Sequence, residues 1–162
     1  MRSYVAADAA AVARHANNAN VARGLRDRFP HPYTRADAET FLRGVANAAV
    51  ESDFAIATAE EVVGGIGVQR QHDVHRLTAE IGYWLGEPVW GRGLATRAVT
   101  VVSAWLFQTS PLERLFACVF ETNPASARVL EKAGYQLEGR LRRAVYKDGR
   151  VLDQLLYARL RP

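Results

Sequence analysis

Tyr83-Trp84-Leu85-Gly86-Glu87-Pro88-Val89-Trp90-Gly91-Arg92-Gly93-Leu94-Ala95-Thr96 carries an apolar strand into a glycine turn, and the turn opens onto an apolar helix over residues 94 to about 108. A helix start has unpaired backbone N–H groups and the positive end of the macrodipole, so it can hold a phosphate. Gly91 and Gly93 lack a Cβ. The backbone there can bend where other residues are strained, and it can approach an anion closely. The stretch points to a di-phosphorylated cofactor.

Outward from this turn, residues 77–85 read as the strand that feeds it. Residues 8–17 read as a helix, with Ala10, Val12 and Ala13 apolar. Residues 21–33 read as irregular, broken by Gly24, Pro30 and Pro32. Thr34 can cap a second helix through Phe41, Leu42 and Val45, with Asp37 three residues on as an approximate capping box. Residues 54–58 and 62–69 are strands about a short acidic turn. Downstream, residues 115–120 form another strand. Asn123 reads as an N-cap with Pro124 at the first helical position, where its missing N–H costs little. That helix runs to Ala133, and Gly134 is placed to end it. Residues 135–146 and 151–158 are strands joined by the hairpin turn Lys147-Asp148-Gly149-Arg150. The order ααβββαβαββ predicts an α/β layer fold with one βαβ crossover at its centre.

Composition narrows the function classes. The 162 residues suit one domain with its own core. Hydrophobic residues are 49% and charged residues 23%, ordinary for a globular chain. No apolar run is long enough to span a membrane, and residues 1–8 lack a secretory hydrophobic stretch, so a cytoplasmic protein is expected. Cys118 stands alone, so no intrachain disulfide forms; its place on an apolar strand predicts a buried core thiol. Net charge is +4, almost all from arginine, with Lys132 and Lys147 the only lysines. There is no basic tail and no aromatic–basic interleaving, so nucleic acid is not an expected partner. His72 and His75 have no third ligand nearby, and no metal site is expected. Trp84, Trp90 and Trp105 are expected in the core or a cleft wall.

The turn alone does not decide the cofactor. Gly91-Arg92-Gly93-Leu94-Ala95-Thr96 has Thr96 where a dinucleotide fingerprint needs its third glycine, and no P-loop Gly-Lys-Ser/Thr follows. The downstream half breaks the tie. Asn123-Pro124-Ala125-Ser126-Ala127-Arg128-Val129-Leu130-Glu131-Lys132-Ala133-Gly134-Tyr135 resembles the "Asn-x-x-Ser … Glu-Lys-x-Gly-Phe" segment of the GNAT acyl-CoA N-acyltransferases. Trp90 to Thr96 is similar to that superfamily's acetyl-CoA motif, with Trp90 in the usual Gln/Arg position. Glu80-Ile81-Gly82-Tyr83-Trp84-Leu85, Pro30-His31-Pro32-Tyr33-Thr34 and Lys147 to Asp153 look like the RimJ/RimL-type branch.

The resemblance implies a GNAT fold: a strongly bent, mixed, mostly antiparallel sheet of six or seven strands with helices on both faces, over residues 1–162, its first strand very short. It implies acetyl-CoA as cosubstrate and direct attack by an amine in a ternary complex. Trp90, Gly91, Arg92, Gly93, Leu94, Ala95 and Thr96 would form the pyrophosphate turn, bound through backbone N–H groups. Backbone groups at Trp84 and Leu85 would pair with the pantetheine and polarise the thioester carbonyl, and Asn123 would contact the pantetheine arm. Two family positions differ. A tyrosine that protonates the thiolate is Leu130 here, and a glutamate base is Cys118.

Glu80 is the candidate base, as the one carboxylate on the strand entering the turn, sharing a face with Gly82 and Trp84. Ser126 is the candidate to orient a water or donate near the sulfur. The acceptor is expected to be a primary amine, a protein N-terminal α-amine first and a small molecule second. It would be gripped by residues 21–33, the second helix and the last hairpin, where Arg26, Asp27, Arg28, His31, Tyr33, Arg142, Arg143 and Tyr146 stand. Two rivals remain: a non-catalytic acyl-CoA sensor on the same scaffold, and an NAD-dependent oxidoreductase. An exposed sheet edge could support a homodimer.

Overall fold

A two-residue strand, β1 (Arg2–Ser3), is the first element of the computed structural model, which describes residues 1–162. A 3-10 turn at Ala6–Asp8 leads into helices α1 (Ala9–Ala16), α2 (Ala19–Arg23) and α3 (Arg35–Ala46). Strands β2 (Asp53–Ala57), β3 (Val62–Arg70) and β4 (Thr78–Leu85) follow. Helix α4 (Leu94–Thr109), strand β5 (Arg114–Phe120), helix α5 (Pro124–Lys132) and the hairpin β6 (Gln136–Lys147) and β7 (Arg150–Leu160) complete the chain. One seven-stranded sheet has the order β1-β2-β3-β4-β5-β7-β6. β4 and β5 are parallel across the α4 crossover, as expected. β1–β2, β2–β3, β5–β7 and β6–β7 are antiparallel. No helix is long and apolar enough to cross a membrane.

The chain divides into two compact units. The first comprises Met1–Gly67 and Tyr83–Leu94. Its core joins Ala9, Val12, Ala16, Tyr33, Ala38, Leu42, Ala55 and Val62. In α1 the residues at i, i+3 and i+7 (Ala9, Val12, Ala16) bury one stripe. The Thr34–Asp37 capping box forms as predicted: Thr34 Oγ1 accepts from Asp37 N–H, and Asp37 accepts from Thr34 N–H. Residues 21–33 are less irregular than their glycine and prolines suggest. Asn18 Oδ1 accepts from the N–H groups of Asn20 and Val21 and starts α2 there.

Asp8 ties the start of this unit together. Its carboxylate accepts from both terminal nitrogens of Arg2 at 2.8 and 2.7 Å and from Val5 N–H at 2.9 Å. The Arg2 hydrogen bonds hold the buried carboxyl below its usual pKa. A depressed folded-state pKa stabilises above the unfolded value, near 3.9, and that stabilisation is lost as pH falls below it. Asp8→Asn is therefore expected to cost about 1–3 kcal/mol at pH 7 and to flatten the acid limb of the stability curve, measured by urea unfolding from pH 7 to pH 3.

The second unit comprises Val68–Gly82 and Ala95–Pro162. Ala79 and Ile81 on β4 and Leu115, Ala117 and Val119 on β5 are buried, at alternate positions. The parallel ladder runs from Thr78 opposite Arg114 to Glu80 opposite Phe116. Helix α4 buries Ala98, Val99, Val102, Ser103, Leu106 and Phe107. Ser103 Oγ and the Tyr135 hydroxyl form a buried hydrogen bond of 2.8 Å, and burial pushes the Tyr135 phenol up to about 12. The Arg161 guanidinium closes the other end of α4, donating to the carbonyls of Phe107, Ser110 and Leu112. In α5, Asn123 Oδ1 accepts from Ser126 N–H, and Gly134 leaves the helix at φ +84°, as predicted. Leu130 in α5 is fully buried, which contributes about 2 kcal/mol.

The closing hairpin turns on Asp148 (φ 50°) and Gly149 (φ 75°), two left-handed residues in succession as a tight two-residue turn requires. β6 shifts register between Leu141 and Val145. Arg143 sits there at φ 55°, its N–H donating to Asp153 at 2.8 Å. Arg140 bridges Asp153 and Glu121 beside it.

Candidate cofactor turn and its surroundings

β4 enters the turn through a closely packed stretch of the first unit. A Cβ on Gly64 of β3 would lie 2.3 Å from the Trp84 carbonyl oxygen and 2.6 Å from Leu85 Cδ2. Only a glycine lets the two backbones approach this closely. A Cβ on Gly65 would lie 2.2 Å from the Tyr4 hydroxyl, which donates to the Gly64 carbonyl. Phe29 stacks on both Tyr33 and Trp84, with ring centroids 4.9 and 5.5 Å away.

Beyond Leu85 the chain is fixed residue by residue. Gly86 N–H donates to the Val63 carbonyl at 2.8 Å. A 3-10 turn at Glu87–Val89 follows, closed by Val89 and Trp90 N–H groups on the carbonyls of Gly86 and Glu87. Trp90 Nε1 donates back to the Leu85 carbonyl at 2.8 Å. Trp90 is otherwise 46% exposed, so of the two expected places, core or cleft wall, it is not in the core; that one bond holds it across the turn. Gly91 and Gly93 take φ +76° and +75°, with Arg92 between them on the ordinary side. Alternation of this kind turns successive N–H groups toward one concavity, an anion-binding nest. A Cβ on either glycine would meet nothing within 4 Å, so the space before them is open. The first turn of α4 holds no acidic residue. The expected glycine turn is thus present at a helix start, an arrangement that can hold an anion.

Glu87 and Gly86 are held from α1 and α2. Asn18 Nδ2 donates to Glu87 Oε2 at 2.7 Å, and Asn20 Nδ2 to Glu87 Oε1 at 2.9 Å. The buried His15 ring lies against Gly86, whose Cβ would be 2.3 Å from His15 Nδ1. His15 Nε2 is 3.0 Å from Glu61, which also pairs with Arg14. Burial lowers the His15 pKa, and the nearby Arg14 charge adds to this. Sequence reading missed His15, Asn18, Asn20 and Glu87. The run Asn17-Asn18-Ala19-Asn20 before Val21 and Ala22 is an N-cap signal that could have located Asn18.

Of the expected site residues, Trp84, Leu85, Trp90, Gly91, Arg92, Gly93 and Leu94 fall in the first unit. Glu80, Ala95, Thr96, Asn123 and Ser126 fall in the second. Asn123 and Ser126 are brought together by the cap of α5, and both are half-buried. Glu80 stands on the less buried face of β4 with Gly82, opposite Phe116 of β5. Cys118 is half-buried rather than a core thiol, because alternation puts it on the Phe116 face while Ala117 and Val119 face inward. Trp105 is 42% exposed on α4, which excludes the core and leaves the other expected place, a cleft wall. Among the acceptor candidates, Arg26, Asp27, Arg28, His31, Arg142, Arg143 and Tyr146 are exposed. Tyr33 is buried, and burial pushes its phenol up to about 12.

Residues 1–136 match the family described as "Acetyltransferase (GNAT) domain". The chain is 37% identical over 103 residues to the uncharacterized N-acetyltransferase YoaA of Bacillus subtilis, covering 64% of this chain and 58% of the relative. It is 34% identical over 107 residues to the ribosomal-protein-serine acetyltransferase of Escherichia coli, covering 66% of this chain and 59% of the relative. The matched parts thus span under two thirds of these curated relatives. Among solved structures, RimJ from Mycobacterium smegmatis in complex with CoA-disulfide superposes with a TM-score of 0.84 at 26% identity, covering 98% of this chain and 80% of that one.

Proposed function

Because the chain belongs to the GNAT acetyltransferase family, we propose that it moves an acetyl group from acetyl-CoA to a primary amine, with a protein N-terminal α-amine as first choice of acceptor. The observation that carries the cofactor is the pair of left-handed glycines before α4, with open space where their Cβ atoms would stand. In this reading residues 1–162 act as one catalytic domain. Acetyl-CoA supplies an activated acyl group. The amine forms the new N–C bond as the C–S bond breaks, so the enzyme must place both partners and manage two protons.

The N–H groups of residues 91–96 hold the pyrophosphate in this proposal. Backbone groups of Trp84 and Leu85 pair with the pantetheine, and the Asn123 side chain, already an N-cap, reaches the pantetheine arm. Glu80 takes the proton released by the amine. Ser126 is the donor toward the departing sulfur, since Leu130 at the tyrosine position is buried and aliphatic. An α-amine, with a pKa near 8, is partly neutral at pH 7 and needs only modest help. A lysine side chain, near 10.4, needs more help to lose its proton. The relative that acts on a ribosomal protein supports the same preference.

The test is a CoA-release assay on peptides with a free or blocked N-terminus, alongside polyamines. Free peptides are expected to turn over, with a rate that climbs through pH 8 and levels off. Climbing beyond pH 9 on the blocked, lysine-containing peptide would place the acceptor on a side chain. Glu80→Gln is expected to lower kcat about 100-fold with an unchanged KM for acetyl-CoA. An unchanged kcat removes Glu80 from the reaction. Tight CoA binding with no turnover on any amine would favour the sensor reading, which Leu130 and Cys118 at the two catalytic positions also support.

A further inference from the structure

The clasp on Glu87 lies one turn ahead of the glycines and takes no part in the chemistry proposed above. Both of its carboxylate oxygens are used, one by Asn18 and one by Asn20. The Asn18 amide does double duty, since its oxygen starts α2 while its nitrogen holds Glu87. On the neighbouring residue, the buried His15 ring fills the space a Gly86 side chain would need. The carbonyls of Gly86 and Glu87 accept the N–H bonds that close the 3-10 turn from which Trp90 and then Gly91 emerge.

We infer that Glu87 is a positioning residue for the cofactor turn, and that the Asn18–Glu87–Asn20 clasp, backed by His15 on Gly86, fixes where Gly91 and Gly93 present their N–H groups. The clasp is charge-assisted and bidentate, the kind of bond that sets geometry as well as energy. Its partners are Asn18 at the N-cap of α2 and Asn20 within α2, 69 and 67 residues away in the chain, so it anchors the turn to an independent element. A nest works only when its N–H groups converge before the anion arrives. Glu87 supplies that preorganisation without touching the ligand.

This inference rests on the acetyl-CoA reading, and the experiment separates the two. CoA dissociation constants would be measured by calorimetry for wild type, Asn20→Ala, Glu87→Ala and the double variant, with thermal melts of each without ligand. Asn20 is exposed and leaves the α2 cap intact, so its variant keeps the fold even if Glu87→Ala does not. The expected result is a Kd raised about threefold by Asn20→Ala and about tenfold by Glu87→Ala. The double variant is expected to bind no worse than Glu87→Ala, as residues of one network require. In turnover, KM for acetyl-CoA should rise while kcat at saturation holds. Folded variants with lowered melting temperatures but wild-type Kd would overturn the positioning role and leave a merely structural one. Wild type that does not bind CoA at millimolar concentration would overturn the parent reading, and this inference with it.

Discussion

Gly64→Ala is expected to give the largest stability loss of any single methyl added to this protein. The new Cβ would sit 2.3 Å from a backbone oxygen, at Trp84, and 3.0 Å from the Leu85 Cα, so no side-chain rotation relieves the clash. β3 and β4 must move apart there. Overpacking in a well-packed interior costs about 1–3 kcal/mol, and a backbone collision belongs at the upper end, about 3 kcal/mol. The displaced atoms are the ones proposed to pair with the pantetheine, so CoA affinity should fall with stability. Urea unfolding and CoA titration on the same variant check both. Gly65→Ala is the useful contrast, because its Cβ meets the Tyr4 hydroxyl and the Trp84 ring nitrogen, which are ends of side chains. A Gly64→Ala protein with wild-type stability would show that the strands separate freely at this point.

The second large effect is on binding rather than folding. Gly91→Ala with Gly93→Ala is expected to raise the CoA Kd about 100-fold, equivalent to about 2.7 kcal/mol. Neither methyl meets a neighbour, so packing is not disturbed. Both would nonetheless sit at positive φ, at roughly 1 kcal/mol each of conformational strain, and both would protrude toward the proposed anion. The protein should stay folded and lose its grip on the pyrophosphate. Single variants would apportion the loss, and titration with CoA and with dephosphorylated pantetheine would show whether the phosphates are the part no longer held. Equal loss of affinity for both ligands would move the anion site elsewhere.

Much of this could be read from sequence because it is local. The capping box of Thr34 and Asp37, the Asn123–Pro124 helix start, the Gly134 stop and the Asp148–Gly149 turn each depend on residues within four positions. The glycine turn and the short first strand were legible for the same reason or through family resemblance. α2 was missed because five residues give too short a period to read, and the glycine and prolines nearby argue for a loop. Cys118 was misplaced because alternation says that faces alternate, not which of them is covered. His15 and Glu87 act across 46 to 71 residues of chain and Gly64 across 20, and no local window of sequence shows both partners as a pair. For Trp90, hydrophobicity leaves core and cleft wall open, and its indole N–H on the Leu85 carbonyl decides its place.

Arg161 gives α4 a polarity that bears on salt. Its guanidinium donates to the Phe107 carbonyl in the last turn of the helix and to those of Ser110 and Leu112 just past it, so that pole is faced by a cation of the protein. The opposite pole has no carboxylate in its first turn. The helix is therefore grounded at one end and live at the other, like a cell with a single wired terminal. Any small dianion in solution can complete that circuit. Sulfate or inorganic phosphate should raise the melting temperature of the ligand-free protein and compete with CoA, while chloride at equal ionic strength should do neither to the same degree.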